Sequence, residues 1–387
     1  MSVAQITQPR LIQVGAGAVR EVATVLRRIG GQRPLVVTDP WMVSSGTVDR
    51  AIKPLRDAGI AYDIFAETVP DPTDVVVAAG AAVLKAGGYD SIVALGGGSP
   101  IDTAKAMSVL AANGGAMRDY KVPNDIPKIG VPLVAIPTTA GTGAEVTRFT
   151  VITDVANDEK MLIAGLPCVP TAALVDFELT MTMPRRLTAD TGIDSLTHAI
   201  EAYVSRRANP MSDMYAVRAM GLIARNIRRA CAEPGDRAAR EAMMLGATLG
   251  GLAFTNASVA LVHGMSRPIG AFFHVPHGLS NAMLLPAVTA FSAGAALSRY
   301  ADCARAMGAA GVEEGDQAAV ARLLDELRRL NEELEVPTPR SYGIEKERWD
   351  SLLPVMAQQA LASGSPGNNP RVPTAEEIVG LYQQAWS

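Results

Sequence analysis

The chain has 387 residues, of which 48% are hydrophobic and 19% are charged, and its formal net charge is −4 at pH 7. This composition predicts a globular protein of two or three domains and excludes a disordered or collagen-like chain. No basic stripe and no long uncharged apolar stretch is present, which argues against nucleic-acid binding and against a membrane span.

The cysteines indicate the compartment. Cys168, Cys231 and Cys303 are far apart and show neither metal-site nor disulfide-framework spacing. We interpret them as reduced thiols of a cytoplasmic protein. The N-terminal sequence MSVAQITQPR lacks a charged start followed by an apolar stretch, so no secretory signal is expected.

The first half of the chain alternates short aliphatic stretches with helical patterns. Strands are predicted at 33–39, 62–66, 91–95, 131–137 and 171–176, and helices at 47–59, 73–87 and 101–110. Such an alternation predicts a parallel sheet covered by helices. We therefore expect an α/β domain over residues 1–183.

The pattern changes after Pro184, where only helical periodicities follow. Helices are predicted at 191–205, 210–232, 238–253, 259–265, 294–307, 317–334 and 375–386. The sequence thus predicts a second, all-helical domain over residues 184–387.

Two motifs that can approach a nucleotide follow predicted strands. GGGSPID at 96–102 places three glycines before a helix start, where free N–H groups suit a phosphate. PTTAGTGAEVT at 137–147 supplies hydroxyls and backbone amides that can surround a ribose or a phosphate. The alternatives are a tight turn without a ligand for the first motif and a polar loop or helix cap for the second. The first motif does not have the GxGxxG spacing of the common dinucleotide fold.

Asp39 ends the first predicted strand. An acidic residue there can accept both ribose hydroxyls of NAD and would repel the 2′-phosphate of NADP. The alternative is an ordinary turn residue.

The histidines give the most specific pattern. Asp194 and His198 are four residues apart in a helical pattern and share one face, and His263 and His277 lie near glycine and proline breaks. One carboxylate and three imidazoles form a complete site for a divalent transition metal. Glu201 is expected beside the ligands or at the surface rather than among the ligands.

At this point the chain resembles the iron-containing (group III) alcohol dehydrogenases. The resemblance extends over nearly the whole chain and rests on five segments: GGGSPIDTAKA at 96–106, PTTAGTGAEVT at 137–147, DSLTHAIEAY at 194–203, HGMSRPIGAFFHVPHG at 263–278 and NNPRVPT at 368–374. It implies a dehydroquinate-synthase-like, dinucleotide-binding α/β domain followed by a helical domain. The metal ligands that it implies are Asp194, His198, His263 and His277, with Fe²⁺ as the ion and Zn²⁺ as a second option.

The same resemblance indicates residues around the cofactor and the substrate. With the motif residues, the expected NAD-binding set is Asp39, Asp71, Gly97, Gly98, Ser99, Asp102, Thr138, Thr139, Thr142, Thr147 and Lys160. Phe254 matches an aromatic residue that faces the nicotinamide. His274, three residues before His277, is not counted as a ligand, because the intervening Val275-Pro276 is not helical; we interpret it as a pocket residue or as a residue beside the ligands.

One position departs from the family pattern. Relatives carry a second histidine four residues after the third ligand, and this chain has Arg267 there. That departure puts a substrate-binding or proton-relay role of the position in doubt. Arg267 is either a structural residue or a binding group for a carboxylate, phosphate or phosphonate on the substrate.

These observations predict an NAD-dependent, metal-activated alcohol dehydrogenase or aldehyde reductase. We expect it to act on a small alcohol or aldehyde, with an anionic group on the substrate as one option, and to form a homo-oligomer, by default a dimer. The alternatives are a dehydroquinate-synthase-like lyase or cyclase that regenerates NAD, and an inactive scaffold of the same fold.

Overall fold

A computed structural model of the chain describes residues 3–386. These residues divide into two compact units. The first unit is Thr7–Thr182, and the second begins at Met183 and also includes residues 3–6. The sequence had placed the N-terminal residues in the α/β domain, whereas residues 3–6 group with the helical unit.

The first unit contains every strand that the structure describes. The strands are β1 (Leu11–Val14), β2 (Pro34–Val37), β3 (Asp63–Phe65), β4 (Ser91–Gly96), β5 (Leu133–Pro137), β6 (Phe149–Asp154), β7 (Glu159–Ala164) and β8 (Ala172–Val175). Six of them form one parallel sheet in the order β1-β8-β5-β4-β2-β3. The predicted parallel sheet is therefore confirmed. The antiparallel hairpin β6–β7 was not predicted.

Helices cover both faces of this sheet. They are α1 (Val22–Arg28), α2 (Pro40–Ser44), α3 (Thr47–Ala51), α4 (Lys53–Asp57), α5 (Asp74–Ala86) and α6 (Gly98–Asn113). The two faces of β2 and β4 belong to different apolar clusters, with Leu35 and Ile92 in one and Val36 and Val93 in the other. Central strands that are buried on both faces are continuously apolar, which is why the sequence shows unbroken aliphatic stretches.

The order of the strands fixes where a ligand can bind in this unit. The chain leaves β2 towards β3 at one side of the sheet and then crosses back to β4 on the other side of β2. Ligands of open α/β sheets bind beyond the carboxyl ends of the strands at such a switch point. Asp39 follows β2 and Gly97 follows β4, so both lie at that switch point.

In the second unit, helices are the only regular secondary structure among the described residues. Its helices are α7 (Arg185–Val204), α8 (Pro210–Ala232), α9 (Arg237–Ala257), α10 (Leu261–Phe273), α11 (His277–Ala293), α12 (Leu297–Met307), α13 (Asp316–Glu333), α14 (Pro339–Tyr342), α15 (Lys346–Ala362) and α16 (Ala375–Ala385). The predicted all-helical region is confirmed, although α11, α14 and α15 were not predicted as helices.

One further property of the helices concerns membranes. Among residues 3–386, no single helix is long and apolar enough to cross a bilayer. Only α9 and α10 taken together reach the necessary length and composition, and they are bent by 106° relative to each other.

Candidate functional site

The helical unit brings a carboxylate and three imidazoles together. Asp194 and His198 lie one turn apart on α7 and are both buried. His263 lies in the first turn of α10, and His277 is the first residue of α11. The structure therefore collects the four predicted metal ligands from three helices.

The break between α10 and α11 places His277 against α7. His274 ends α10 with a left-handed φ of 54°, and Val275 and Pro276 are not helical, as expected. Gly278 then allows a close approach, because a Cβ there would lie 2.4 Å from the carbonyl oxygen of Asp190. A larger residue at 278 would push the start of α11, and with it His277, away from Asp194.

The separations of the ligand atoms fit a metal ion. Asp194 Oδ1 lies 3.9 Å from His198 Nε2, 3.5 Å from His263 Nε2 and 3.8 Å from His277 Nε2. One ligand atom from each of the four residues can be chosen so that all lie within 4.8 Å of one another. A tetrahedral ion with bonds of about 2.0–2.2 Å has ligands about 3.3–3.6 Å apart. Only a small contraction of the described cluster would be needed.

Electrostatics also favour a cation at this position. Burial raises the pKa of Asp194, but the three imidazoles outweigh burial and hold its pKa below the usual range. The described residues provide no lysine or arginine as an ion-pair partner for this carboxylate. His277 is 40% exposed while the other three ligands are buried, so the cluster is accessible from one side.

Glu201 fixes the orientation of His263. It is buried, and its Oε2 accepts a hydrogen bond from His263 Nδ1 at 2.6 Å. The same carboxylate accepts the backbone N–H groups of Ala260 at 2.9 Å and Val262 at 2.6 Å. Because Nδ1 donates to Glu201, the lone pair of His263 lies on Nε2, the atom that faces Asp194. Glu201 is thus beside a ligand, as expected, and not itself part of the cluster.

Two other predicted residues lie in the same unit. Phe254 is buried and stacks on His198, with ring centroids 4.3 Å apart and planes inclined by 21°. His274 is exposed at the end of α10 and is not part of the ligand cluster. The structure gives it a role in ending the helix.

Arg267 is half-buried one turn after His263. Its Nη1 donates to Ser365 Oγ at 3.1 Å, and it forms no ion pair within the described part of the chain. Burial lowers the pKa of its guanidinium, and the negative charge of Glu201 partly opposes that effect.

The predicted nucleotide motifs meet at the carboxyl ends of β4 and β5. Gly97 caps α6 and Gly98 begins it. A Cβ on Gly98 would lie 2.9 Å from Thr142 Cγ2, and one on Gly97 would lie 3.3 Å from Thr139 Cγ2. Glycine at these two positions therefore lets the loops pack closely, and a Cβ on Gly98 would require the Thr142 side chain to shift. Ser99 follows in the first turn of α6, where free N–H groups point out of the helix.

Two residues at this edge have polar atoms left for a ligand. Thr138 Oγ1 is buried and has no hydrogen-bond partner within residues 3–386, which is unusual for a native hydroxyl. Asp39 caps α2 by accepting the Met42 N–H at 2.9 Å through Oδ1. Its Oδ2 stays available, so the turn role and the ribose role of Asp39 are compatible. Both observations fit a nucleotide at the switch point.

Asp102 and Thr147 have internal partners instead. Asp102 Oδ2 accepts the Val151 N–H at 3.0 Å, and burial raises its pKa to about 6, opposed by Lys105. Thr147 Oγ1 accepts from Lys105 Nζ at 3.1 Å. The fully buried Lys105 was not predicted as functional, and it links α6 to the segment that enters β6. The contacts of Asp102, Lys105 and Thr147 therefore fix the start of α6 against the segment that follows the Thr-rich loop.

Asp71 and Lys160 form a pair at the hairpin. Lys160 Nζ lies 2.7 Å from Asp71 Oδ1, and Asp71 has a left-handed φ of 51°. The side chain of Asp71 is 65% exposed and that of Lys160 is 16% exposed. Two predicted cofactor residues that are distant in sequence are therefore adjacent in the fold.

One residue that contacts the four-residue ligand cluster was not predicted from the sequence. Asn281 is buried on α11, and its Nδ2 contacts three of the four ligand side chains. The signal was available, because Asn281 lies four residues after His277 and shares its helix face.

Comparison with known proteins was consistent along the chain. Residues 9–177 match the family described as "Iron-containing alcohol dehydrogenase", and residues 188–386 match "Fe-containing alcohol dehydrogenase family, C-terminal". The NAD-dependent methanol dehydrogenase of Bacillus methanolicus is 39% identical over 96% of this chain and 97% of its own length. The lactaldehyde reductase of Escherichia coli K12 is 39% identical over the same shares. A crystal structure of 1,3-propanediol oxidoreductase superposes with a TM-score of 0.95 at 35% identity, covering 99% of this chain and all of that one.

Proposed function

We propose specific roles for the residues of this chain, which belongs to the iron-containing alcohol dehydrogenase family and is an oxidoreductase that uses NAD and a metal ion. One set of residues binds the metal and another binds NAD. Residues 184–387 hold the metal through Asp194, His198, His263 and His277. Residues 1–183 hold NAD through the loops after β2, β4 and β5. The substrate is a small alcohol or aldehyde.

The observation that carries this proposal is the convergence of one carboxylate and three imidazoles around a single point. A divalent ion there supplies Lewis-acid chemistry to the substrate oxygen. Glu201 keeps the Nε2 lone pair of His263 directed at that point, and Phe254 holds the ring of His198 by stacking. The exposed side at His277 is where a substrate can enter.

The residues predicted to bind the nucleotide would position NAD for the reaction. When bound, NAD would supply hydride-transfer chemistry between the alcohol and the aldehyde. The N–H groups at the start of α6 bind the pyrophosphate, helped by the positive end of the helix. Thr138 Oγ1, which has no partner within the described residues, would donate to the cofactor, and Asp39 Oδ2 would accept from the ribose. The negative charge of Asp39 disfavours the 2′-phosphate of NADP.

Arg267 narrows the substrate class. A guanidinium has five N–H donors, and only one hydrogen bond of Arg267 goes to the protein in the described structure. The remaining donors are suited to a carboxylate, phosphate or phosphonate, which the planar fork binds through two parallel hydrogen bonds. The preferred substrate is therefore a short aldehyde or alcohol that carries one of these groups.

Family membership and the intact ligand cluster do not favour the two alternatives, a dehydroquinate-synthase-like lyase or cyclase and an inactive scaffold. A lyase would use NAD without net NADH formation, and a scaffold would have no affinity for either cofactor.

Assembly and compartment are part of the same proposal. A homodimer is the simplest closed assembly, and light scattering behind size-exclusion chromatography would measure it. The three cysteines are free and buried, which suits the reducing cytoplasm. Cell fractionation would test that location.

The decisive experiment is a substrate screen with the purified chain after anaerobic loading with Fe²⁺. We expect steady NADH formation with an alcohol and NADH consumption with the matching aldehyde. A turnover that requires NAD but leaves its redox state unchanged would favour the lyase. Absence of metal and NAD binding would favour the scaffold.

A further inference from the structure

Asn281 occupies the centre of the ligand cluster without being one of the predicted ligands. Its side chain is fully buried. The Nδ2 atom lies 2.6 Å from Asp194 Oδ1, 3.2 Å from His263 Nε2 and 3.3 Å from His277 Nε2. These three atoms are the same ones that the proposed metal site assigns to the ion.

The amide is only partly satisfied in this orientation. Its NH₂ group has two hydrogens and faces three acceptors. Its Oδ1 is buried and has no hydrogen-bond partner among the described residues. A buried carbonyl oxygen without a partner is rare in folded proteins.

A divalent ion reverses the preference of this side chain. His263 Nε2 and His277 Nε2 each have one lone pair, which a bound ion would occupy, so neither could still accept from the amide; the ion would also take one of the lone pairs of Asp194 Oδ1. N–H groups directed at a cation are repelled, whereas a carbonyl oxygen is attracted. The two ends of a carboxamide have nearly the same shape, so half a turn about Cβ–Cγ exchanges them without a clash.

We propose that Asn281 is a fifth residue of the metal site, and that it turns its Oδ1 towards the bound ion. It contributes a neutral oxygen, so it adds affinity without adding charge to a site that already contains Asp194. The assignment rests on the proposed metal site, and it goes beyond that site by giving Asn281 a part in holding the ion.

The test uses Co²⁺ as the probe, because its visible absorption band reports both binding and the set of donor atoms. The full-length chain is titrated with Co²⁺ in competition with a chelator. The variants are Asn281→Leu, which removes the oxygen at similar volume, and Asn281→Asp, which keeps the shape and places an oxygen at both ends. Circular dichroism establishes that each variant is folded.

We expect Asn281→Leu to raise the Kd for Co²⁺ by about 10- to 100-fold and to shift the absorption band, as losses around metal ligands do. Asn281→Asp should bind Co²⁺ at least as tightly as the unmodified chain. If the amide instead keeps its N–H groups on Asp194, the new carboxylate would lie against that residue and weaken binding. Weaker binding by Asn281→Asp, or unchanged binding by a folded Asn281→Leu, would overturn the proposal.

Two reference variants complete the design. Asn331 Nδ2 donates to the Ala282 carbonyl at 2.7 Å, so Asn331→Leu disturbs the same helix without touching a ligand. Its Kd should stay unchanged, and an equal loss there would assign the effect to α11 rather than to the oxygen. His263→Ala should abolish binding. If the unmodified chain and His263→Ala bind Co²⁺ alike, the metal site itself fails, whatever the result at Asn281.

Discussion

Replacing Glu201 by glutamine tests whether the Glu201 carboxylate orients the His263 ring. The carboxylate accepts three hydrogen bonds, from the Ala260 and Val262 amides and from His263 Nδ1. Glutamine has the same shape but only one accepting end. Its best orientation keeps the oxygen at the Oε2 position, which serves Ala260 and His263, and puts its NH₂ group against the Val262 N–H.

The magnitude follows from that count. Hydrogen bonds to a charged group contribute about 1.5–3 kcal/mol each, and a buried donor left without an acceptor costs about 1–3 kcal/mol. We therefore expect Glu201→Gln to lower the free energy of unfolding by about 2–4 kcal/mol. His263 also loses the negative charge that makes it a better ligand, so metal affinity should fall by about 10- to 100-fold.

Urea denaturation measures the first effect, and chelator competition with Zn²⁺ measures the second. Glu178→Gln is a useful control, because it changes a glutamate of the other unit, outside the ligand cluster. A Glu201→Gln variant with unchanged stability and unchanged Zn²⁺ affinity would refute the claim that this carboxylate orients a metal ligand.

Four further outcomes are expected. His263→Ala should remove the bound metal, seen by elemental analysis, and abolish turnover while the circular dichroism spectrum is kept; full metal content would contradict the ligand assignment. Asp39→Gly should reduce the preference for NAD over NADP by about tenfold or more in kcat/KM, since one hydrogen bond to a charged group is lost. Arg267→Ala should raise the KM of a carboxylate-bearing aldehyde by about 10- to 100-fold and leave a neutral aldehyde of equal length nearly unchanged; equal losses would remove the anionic-substrate proposal. Asp102→Asn should flatten the pH dependence of stability. Burial raises the pKa of Asp102 from 3.8 to about 6, so the folded state binds the Asp102 proton more tightly than the unfolded state does. The protonated carboxyl therefore contributes to the free energy of unfolding at low pH, and this contribution is lost as the pH rises from 3.8 to about 6. Urea midpoints between pH 4 and pH 6 would show the change.

The sequence predicted the sheet well because strands buried on both faces are continuously apolar, and β2, β4, β5 and β8 all have that property. It missed α11 and α15, which each have a proline inside them, and it also missed α1, which has none. Pro268 lies within α10, Pro286 within α11 and Pro354 within α15. Proline is unfavourable inside a helix, and in these three helices tertiary packing compensates for the missing hydrogen bond.

In the candidate site, too, the sequence predicted features that depend on local spacing but not contacts between residues far apart in the chain. Helical spacing placed Asp194 and His198 on one face, and the positions of His263 and His277 near glycine and proline breaks indicated the other two ligands. Spacing could not show that Glu201 bonds to His263, since 62 residues separate them. Nor could it show that Asn281 reaches Asp194 across 87 residues. Those contacts depend on how α7, α10 and α11 pack, which a single sequence does not encode locally.

A count of charges connects the metal, Glu201 and Arg267. Asp194 and Glu201 are both buried and together carry two negative charges, which a divalent ion balances. Arg267 then adds one positive charge that no ion pair within the described residues neutralises. The negative charge of Glu201 raises the pKa of the Arg267 guanidinium, but the Glu201 oxygens already accept hydrogen bonds from His263 and from two backbone amides. If the substrate carries an anionic group, as we propose, that group would complete this charge balance, whereas a neutral alcohol would leave the Arg267 guanidinium without a counter-charge.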